Sequence, residues 1–163
     1  MRVRQGDVRD WPFIYALGKV GIPDSISPWR KQPMEVTLKY REEFLRGFWT
    51  WIQQSESEVF IVEEPEQEED SSALPIGYLV LQGSSREELT GISQGWIMDI
   101  VVRPEWRGKG AGRVLLEAAE DYCREHGVPY LGLAVSSHNV KALRLYETFG
   151  FAEERKLLVK CLE

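Results

Sequence analysis

One stretch limits the architecture more than any other. Residues 97–135 read as an apolar strand, a glycine-rich turn, a helix and a second strand. Two strands joined through a helix in this way lie parallel, with a right-handed crossover. The first, "GWIMDIVV", is apolar on both faces and belongs in the middle of a sheet. The helix covers residues 110–126 and is stopped by Gly127 and Pro129.

The rest of the chain supplies further alternating elements. "RVR" predicts a short strand. "GDVRDWPFIYALGKV" predicts a helix with Asp7 or Asp10 as N-cap and Pro12 in its first turn. "GIPDSISPWRKQP", with three prolines, predicts a loop. A second helix, "MEVTLKYREEFLRGFWTWIQQ", carries Val36, Tyr40, Phe44, Phe48 and Trp51 at helical spacing. "EVFIVEE" and "PIGYLVLQG" predict strands, as does "PYLGLAV". "NVKALRLYETF" predicts a helix closed by Gly150, and "ERKLLVKCL" a last strand. There is neither an internal repeat nor a linker, so residues 1–163 read as a single α/β domain with a mixed sheet flanked by helices.

Charge narrows the function. The net charge of −6 argues against wholesale nucleic-acid binding. Six acids crowd into "EEPEQEED", residues 63–70, and removing them would bring the charge to zero. That segment is either a solvated hairpin loop or an attractor for a cationic substrate. No apolar run is long enough to span a membrane, and the amino end does not read as a signal peptide. Cys123 and Cys161 make no metal-like spacing and no disulfide framework, which fits a reducing cytoplasm.

Gly108, Gly110 and Gly112 fall where the mid-sheet strand gives way to the helix. A helix start leaves backbone N–H groups without internal partners, and its dipole makes that end partly positive. Glycine lets a ligand approach the backbone, and Arg107, Lys109 and Arg113 add full positive charges. Together these features describe a phosphate cradle. Two common versions fail by counting. A P-loop or a dinucleotide fingerprint beginning at Gly108 needs glycine at position 113, where Arg113 stands.

The stretch "RGKGAG", residues 107–112, resembles the pyrophosphate loop Q/R-x-x-G-x-G/A of the GCN5-related N-acetyltransferases, the GNAT superfamily. "HNVKALRLYETFGF", residues 138–151, is similar to that family's closing segment N-x-x-A-x-x-L-Y-x-x-x-G-F, with Asn139, Ala142, Leu145, Tyr146, Gly150 and Phe151 in place. The opening "VRQGDVRDWP" is similar to its first strand and helix. The resemblance implies a mostly antiparallel mixed sheet and acetyl-CoA as acyl donor, with no metal. It places the diphosphate on the backbone from Arg107 through Gly108, Lys109, Gly110 and Ala111 to Gly112, with Arg113 adjacent. It places the pantetheine arm beside Ile100, Val101 and Val102, in a slot opened by splaying that strand from its parallel neighbour, and on Asn139. Tyr146 becomes the acid that protonates the departing sulfur, since a phenol is protonated at neutral pH. Without the resemblance, a core tyrosine at helical spacing is the plainer reading.

An amine acceptor must lose a proton. Asp99 interrupts the apolar strand just ahead of the cofactor segment, and burial would raise its pKa into a range that suits a base. A hydrogen-bonded carboxylate at a bulge is the competing reading. His138 and Glu105 are weaker candidates. Ribosomal-alanine acetyltransferases, which the closing motif also resembles, carry a glutamate in the preceding strand where this chain has Ala134. Trp29, Phe44, Phe48, Trp49 and Trp51 wall an acceptor cleft, or belong to the core or a homodimer face. The expectation is an N-acetyltransferase acting by direct transfer to a primary amine on a small molecule, peptide or protein. The alternative is a non-catalytic acyl-CoA-binding or regulatory module.

Overall fold

A computed structural model describes residues 1–64 and 73–162. Its centre is a five-stranded sheet in the order β1 (Arg2–Gln5), β2 (Glu58–Glu63), β3 (Pro75–Arg86), β4 (Ser93–Val102), β5 (Leu131–Leu133). The first three pairings are antiparallel, and β4 with β5 is parallel. The expected mixed, mostly antiparallel α/β sheet is therefore present.

Strand periodicity divides the apolar residues between two faces. Val59, Ile61, Tyr78, Val80 and Val101 pack with Ile14, Leu17 and Ile22 of helix α1 (Trp11–Ser25) and Leu45, Phe48 and Ile52 of α2 (Met34–Gln54). Val62, Leu79, Leu81 and Ile97 pack on the other side with Leu115, Leu116 and Ala119 of α3 (Ala111–Glu125) and Tyr146 of α4 (Val140–Phe149). Strand β3 feeds both clusters, which is why it reads as a continuous apolar run.

One irregularity sets the geometry of the centre. Val80 lies opposite Asp99 but Leu81 lies opposite Ile97, so Met98 is an extra residue, a β-bulge. Ile97 faces α3, whereas Val101 faces α1, where a Cβ on Gly21 would come within 3.2 Å of it. An unbroken strand would put residues 97 and 101 on one face.

Near the amino end, Arg4 donates to both oxygens of Asp10 at 2.8 and 2.7 Å and to Glu63 at 2.5 Å. Both carboxylates are buried, and the Arg4 hydrogen bonds hold the Asp10 carboxyl below its usual range. Asp7 and Asp10 share the helix start: Asp7 caps a single 3-10 turn, Val8–Asp10, and Asp10 completes the capping box. Glu63 thus belongs to β2 and an internal ion pair rather than to a solvated loop. Of the acidic run, only Glu63 and Glu64 fall within the described residues.

Other expectations need correction. Helix α1 runs through Pro23 to Ser25, so the first part of the predicted proline loop is helical. In the last turn a proline forfeits one backbone bond, and buried Ile22 anchors that turn. On α2, Val36, Tyr40 and Phe44 are exposed, while Leu45, Phe48 and Ile52 are buried. Each step of four residues overshoots a helical turn by about 40°, so the line from 36 to 44 winds off the buried face. Strand β5 is shorter than "PYLGLAV". Residues 154–162 form no strand: none of the described sheet pairs with them, and Arg155 is held instead by Glu87 and Glu88.

Candidate active site

The cradle follows from backbone conformation. After a single 3-10 turn, Pro104–Trp106, the chain passes Gly108 at φ +74° and Gly110 at φ +92°, left-handed values that disfavour any side chain. Gly110 is the N-cap of α3 and provides no side-chain cap. The N–H of Val114 returns to Gly110 at 3.1 Å, leaving those of Ala111, Gly112 and Arg113 ahead of the helix ladder. Ala111 is itself buried, so it can offer only its backbone. Gly112 has a different reason: a Cβ there would lie 3.0 Å from Leu145, so its bareness lets α3 approach α4.

The cations are partly engaged. Arg107 donates to Asp24 at 2.7 Å and to the Val102 carbonyl at 3.2 Å. Arg113 pairs with Glu117 at 3.0 Å. The Lys109 ammonium sits 5.1 Å from the centre of the Trp106 ring.

Beside the cradle the sheet is open. Pairing of β4 with β5 covers only Gly95, Trp96 and Ile97 against Leu131, Gly132 and Leu133. From the bulge onward, Ile100, Val101 and Val102 pair with β3 alone, opposite Leu79, Tyr78 and Gly77. Their backbone groups on the β5 side have no strand neighbour among the described residues. The end of α1 frames this gap, with Asp24 on Arg107 and the Ser25 carbonyl accepting from Ser136 Oγ at 2.5 Å.

Two ionisable groups come from opposite faces of the sheet, near enough for the charge of one to act on the other. Asp99 accepts from the Tyr78 hydroxyl at 2.6 Å. Burial raises its pKa, against the lowering effects of that hydrogen bond, the Arg41 charge and the Ile100 N–H. Tyr146 is buried with its ring edge-on to Phe151 at 5.8 Å. Burial first, then the Asp99 charge, pushes its hydroxyl up to about 12. That hydroxyl donates to no group among the described residues.

Asn139 lies at the start of the same helix, where its Oδ1 accepts from the Ala142 N–H at 3.2 Å as the N-cap. Its amide N–H₂ is left for another partner. His138 is exposed, and Glu105 turns to Arg103 at 4.0 Å. Of the aromatic residues expected around an acceptor cleft, Phe48 is core, Trp49 and Trp51 pack against it, and Trp29 and Phe44 are exposed. Sequence reasoning missed Tyr78 and Arg41. Tyr78 is hidden in an apolar run and Arg41 in a charged helix. Only the strand register and the α2 packing bring them to Asp99.

The Acetyltransferase (GNAT) family model matches residues 23–151. The chain belongs to the GNAT acetyltransferase family. Streptothricin acetyltransferase of Streptomyces lavendulae is 48% identical over 56 residues, 34% of this chain and 30% of that protein. The [ribosomal protein bS18]-alanine N-acetyltransferase of Escherichia coli K12 is 37% identical over 62 residues, 38% of this chain and 42% of that protein. The chain thus spans less than half the length of these curated relatives. A Pyrococcus furiosus structure described as an acetyl transferase shares the fold at TM-score 0.76 and 22% identity, covering 99% of both chains. AAC(6')-Iy, solved with the bisubstrate analog CoA-S-monomethyl-acetylneamine, shares it at TM-score 0.68 and 17% identity, covering 99% of this chain and 97% of the other. Among the described residues of this GNAT chain, no helix is long and apolar enough to cross a membrane.

Proposed function

We propose that the chain is one acetyl-CoA-dependent N-acetyltransferase domain that passes the acetyl group to a primary amine by direct attack in a ternary complex. The observation that carries this is the gap between β4 and β5. It ends at an uncapped helix N-terminus whose positive-φ glycines leave the backbone bare, and Asp99 and Tyr146 come from the two faces of the sheet. The fit to the donor is good in kind: an elongated ligand with amides needs an unpaired strand edge, and a diphosphate needs free N–H groups. Ile100–Val102 would pair with the amides, with Asn139 as a further contact, and residues 107–113 would hold the phosphates. Acetyl-CoA supplies the activated thioester.

The chain's own groups do the rest. Asp99, on the α1/α2 face, takes the proton from the acceptor ammonium, a role that its raised pKa favours. Tyr146, on the α3/α4 face, holds its proton throughout the neutral range and presents it to the leaving sulfur. The acceptor is an amine-bearing small molecule or peptide entering from the side of α1 and α2. Ala134, in place of a glutamate, separates it from the ribosomal-alanine pattern.

The test is free-thiol release from acetyl-CoA across a panel of polyamines, amino acids, aminoglycosides and alanyl peptides. Amine-dependent thiol release with a matching N-acetyl product is the expected result. CoA binding without turnover on any amine would leave a non-catalytic module in its place.

A further inference from the structure

Tyr78 has no part in a donor cradle, yet three features of the fold converge on its hydroxyl. The first is the hydrogen bond to Asp99 Oδ2 at 2.6 Å. Tyr78 is fully buried on β3, with its ring edge-on to Phe13 at 6.5 Å. A phenylalanine would fill the same apolar volume, so the hydroxyl answers to the carboxylate alone. A phenol at this depth also needs an acceptor.

The second feature is Gly18. A Cβ at this position would fall 2.9 Å from the Tyr78 hydroxyl. Glycine inside a helix costs roughly 0.8–1.0 kcal/mol against alanine, and here it clears the space that the hydroxyl occupies. The third is the bulge at Met98, which turns Asp99 to the face that carries Tyr78.

We propose that Tyr78 is a positioning residue for the base: its hydroxyl fixes Oδ2 of Asp99 and leaves Oδ1 to take the proton of the acceptor amine. This inference rests on the reading of Asp99 as the base. Among the described residues, few charged or titratable groups act on Asp99. From β3 comes Tyr78, from α2 the Arg41 charge, and from α4 Tyr146, while its own strand gives the Ile100 N–H. Helix α1 turns uncharged Gly18 and Gly21 to this region. Tyr78 is the only one of these side chains that hydrogen-bonds the carboxylate among the described residues. Without its hydroxyl, the half-buried carboxylate loses a donor and holds its proton more tightly.

The test compares wild type with Tyr78→Phe, Gly18→Ala and Asp99→Asn. Each is followed by the pH profile of kcat/KM, using acetyl-CoA with the best primary amine of the panel. The Asp99 titration is read independently from the ¹³C carboxyl shift in aspartate-labelled protein. In Tyr78→Phe the acidic limb and the carboxyl titration move to higher pH together, by about one unit. There kcat at neutral pH falls while KM for acetyl-CoA holds. Gly18→Ala keeps the ring but displaces the hydroxyl, and shifts both in the same direction. It decides the matter if Tyr78→Phe does not fold. An unmoved limb and titration in a folded variant overturn the role of Tyr78. If Asp99→Asn itself keeps the limb and the wild-type rate, the base reading fails instead.

Discussion

Tyr146→Phe removes one oxygen from a buried ring and leaves its packing against Phe151 intact. The hydroxyl, pushed up to about 12, stays protonated at every pH where the enzyme would be assayed. A free thiol titrates near 8.5, about 3.5 units lower. Complete transfer of the tyrosine proton to a fully formed thiolate would therefore be uphill by about 5 kcal/mol, at 1.36 kcal/mol per unit. The favourable contribution is instead a hydrogen bond to charge developing on sulfur, roughly 1.5–3 kcal/mol. That corresponds to a loss of about 10- to 150-fold in kcat. Affinity for acetyl-CoA should change little, and so should Tm, because the hydroxyl donates to no described group. The assay is free-thiol release at saturating acetyl-CoA, set beside calorimetric binding of CoA. A kcat within twofold of wild type returns Tyr146 to the role of a core residue. A loss confined to affinity makes it a binding residue. A loss beyond about 10⁴-fold means that full proton transfer is at stake and the pKa argument is wrong.

CoA at a hundred times its Kd should stabilise the protein by about 2.7 kcal/mol, a Tm rise of roughly 5–10 °C for a chain of this size. Gly110→Trp should abolish that rise in scanning fluorimetry, because φ +92° excludes a side chain and the indole covers the N–H groups. Asp24→Asn frees Arg107 from an exposed ion pair, and calorimetry at low salt should show CoA binding up to about fivefold tighter; weaker binding would mean that Asp24 orients Arg107 rather than competing for it. Arg4→Met leaves Asp10 and Glu63 buried without their cation and should cost about 3 kcal/mol by denaturant titration at pH 7. Because the folded-state pKa of Asp10 is lowered, the lost stability is that present above the unfolded carboxylate range, so the defect shrinks as pH falls below about 4.

The chain was most legible where two signals coincided. From β4 to α4, periodicity gave the elements, residue chemistry suggested a phosphate cradle, and the family resemblance singled out Tyr146. The structure puts the bare helix start at the end of β4 and Tyr146 on the α3/α4 side of the sheet. Legibility failed where a single residue count decides the outcome. Nothing in "GWIMDIVV" marks Met98 as extra, because both faces of the strand are apolar; the partnership of Asp99 with Tyr78 was hidden with it. On α2 the aromatic residues drew the eye to the wrong stripe, since Tyr40 and Phe44 are exposed and Leu45 is not. "ERKLLVKCL" has strand composition, but composition cannot show whether a neighbouring strand will accept it. Glycines invited one explanation and had two: Gly110 is bare for its backbone angle, Gly112 for the helix beside it.

Met98 works on β4 as a frameshift works on a message. Residues before it are read in one two-residue frame and those after it in the other. The identity of this exposed side chain matters less than its exclusion from the ladder. Deleting it would restore a regular ladder and improve the sheet locally. Drawing Met98 into the ladder opposite Val80 would instead send Asp99 and Val101 beneath α3 and turn Ile100 and Val102 toward α1, with every downstream residue chemically unchanged. A scan of substitutions along β4 would pass over this position as tolerant, although the slack it takes up sets the address of each residue between it and the cradle.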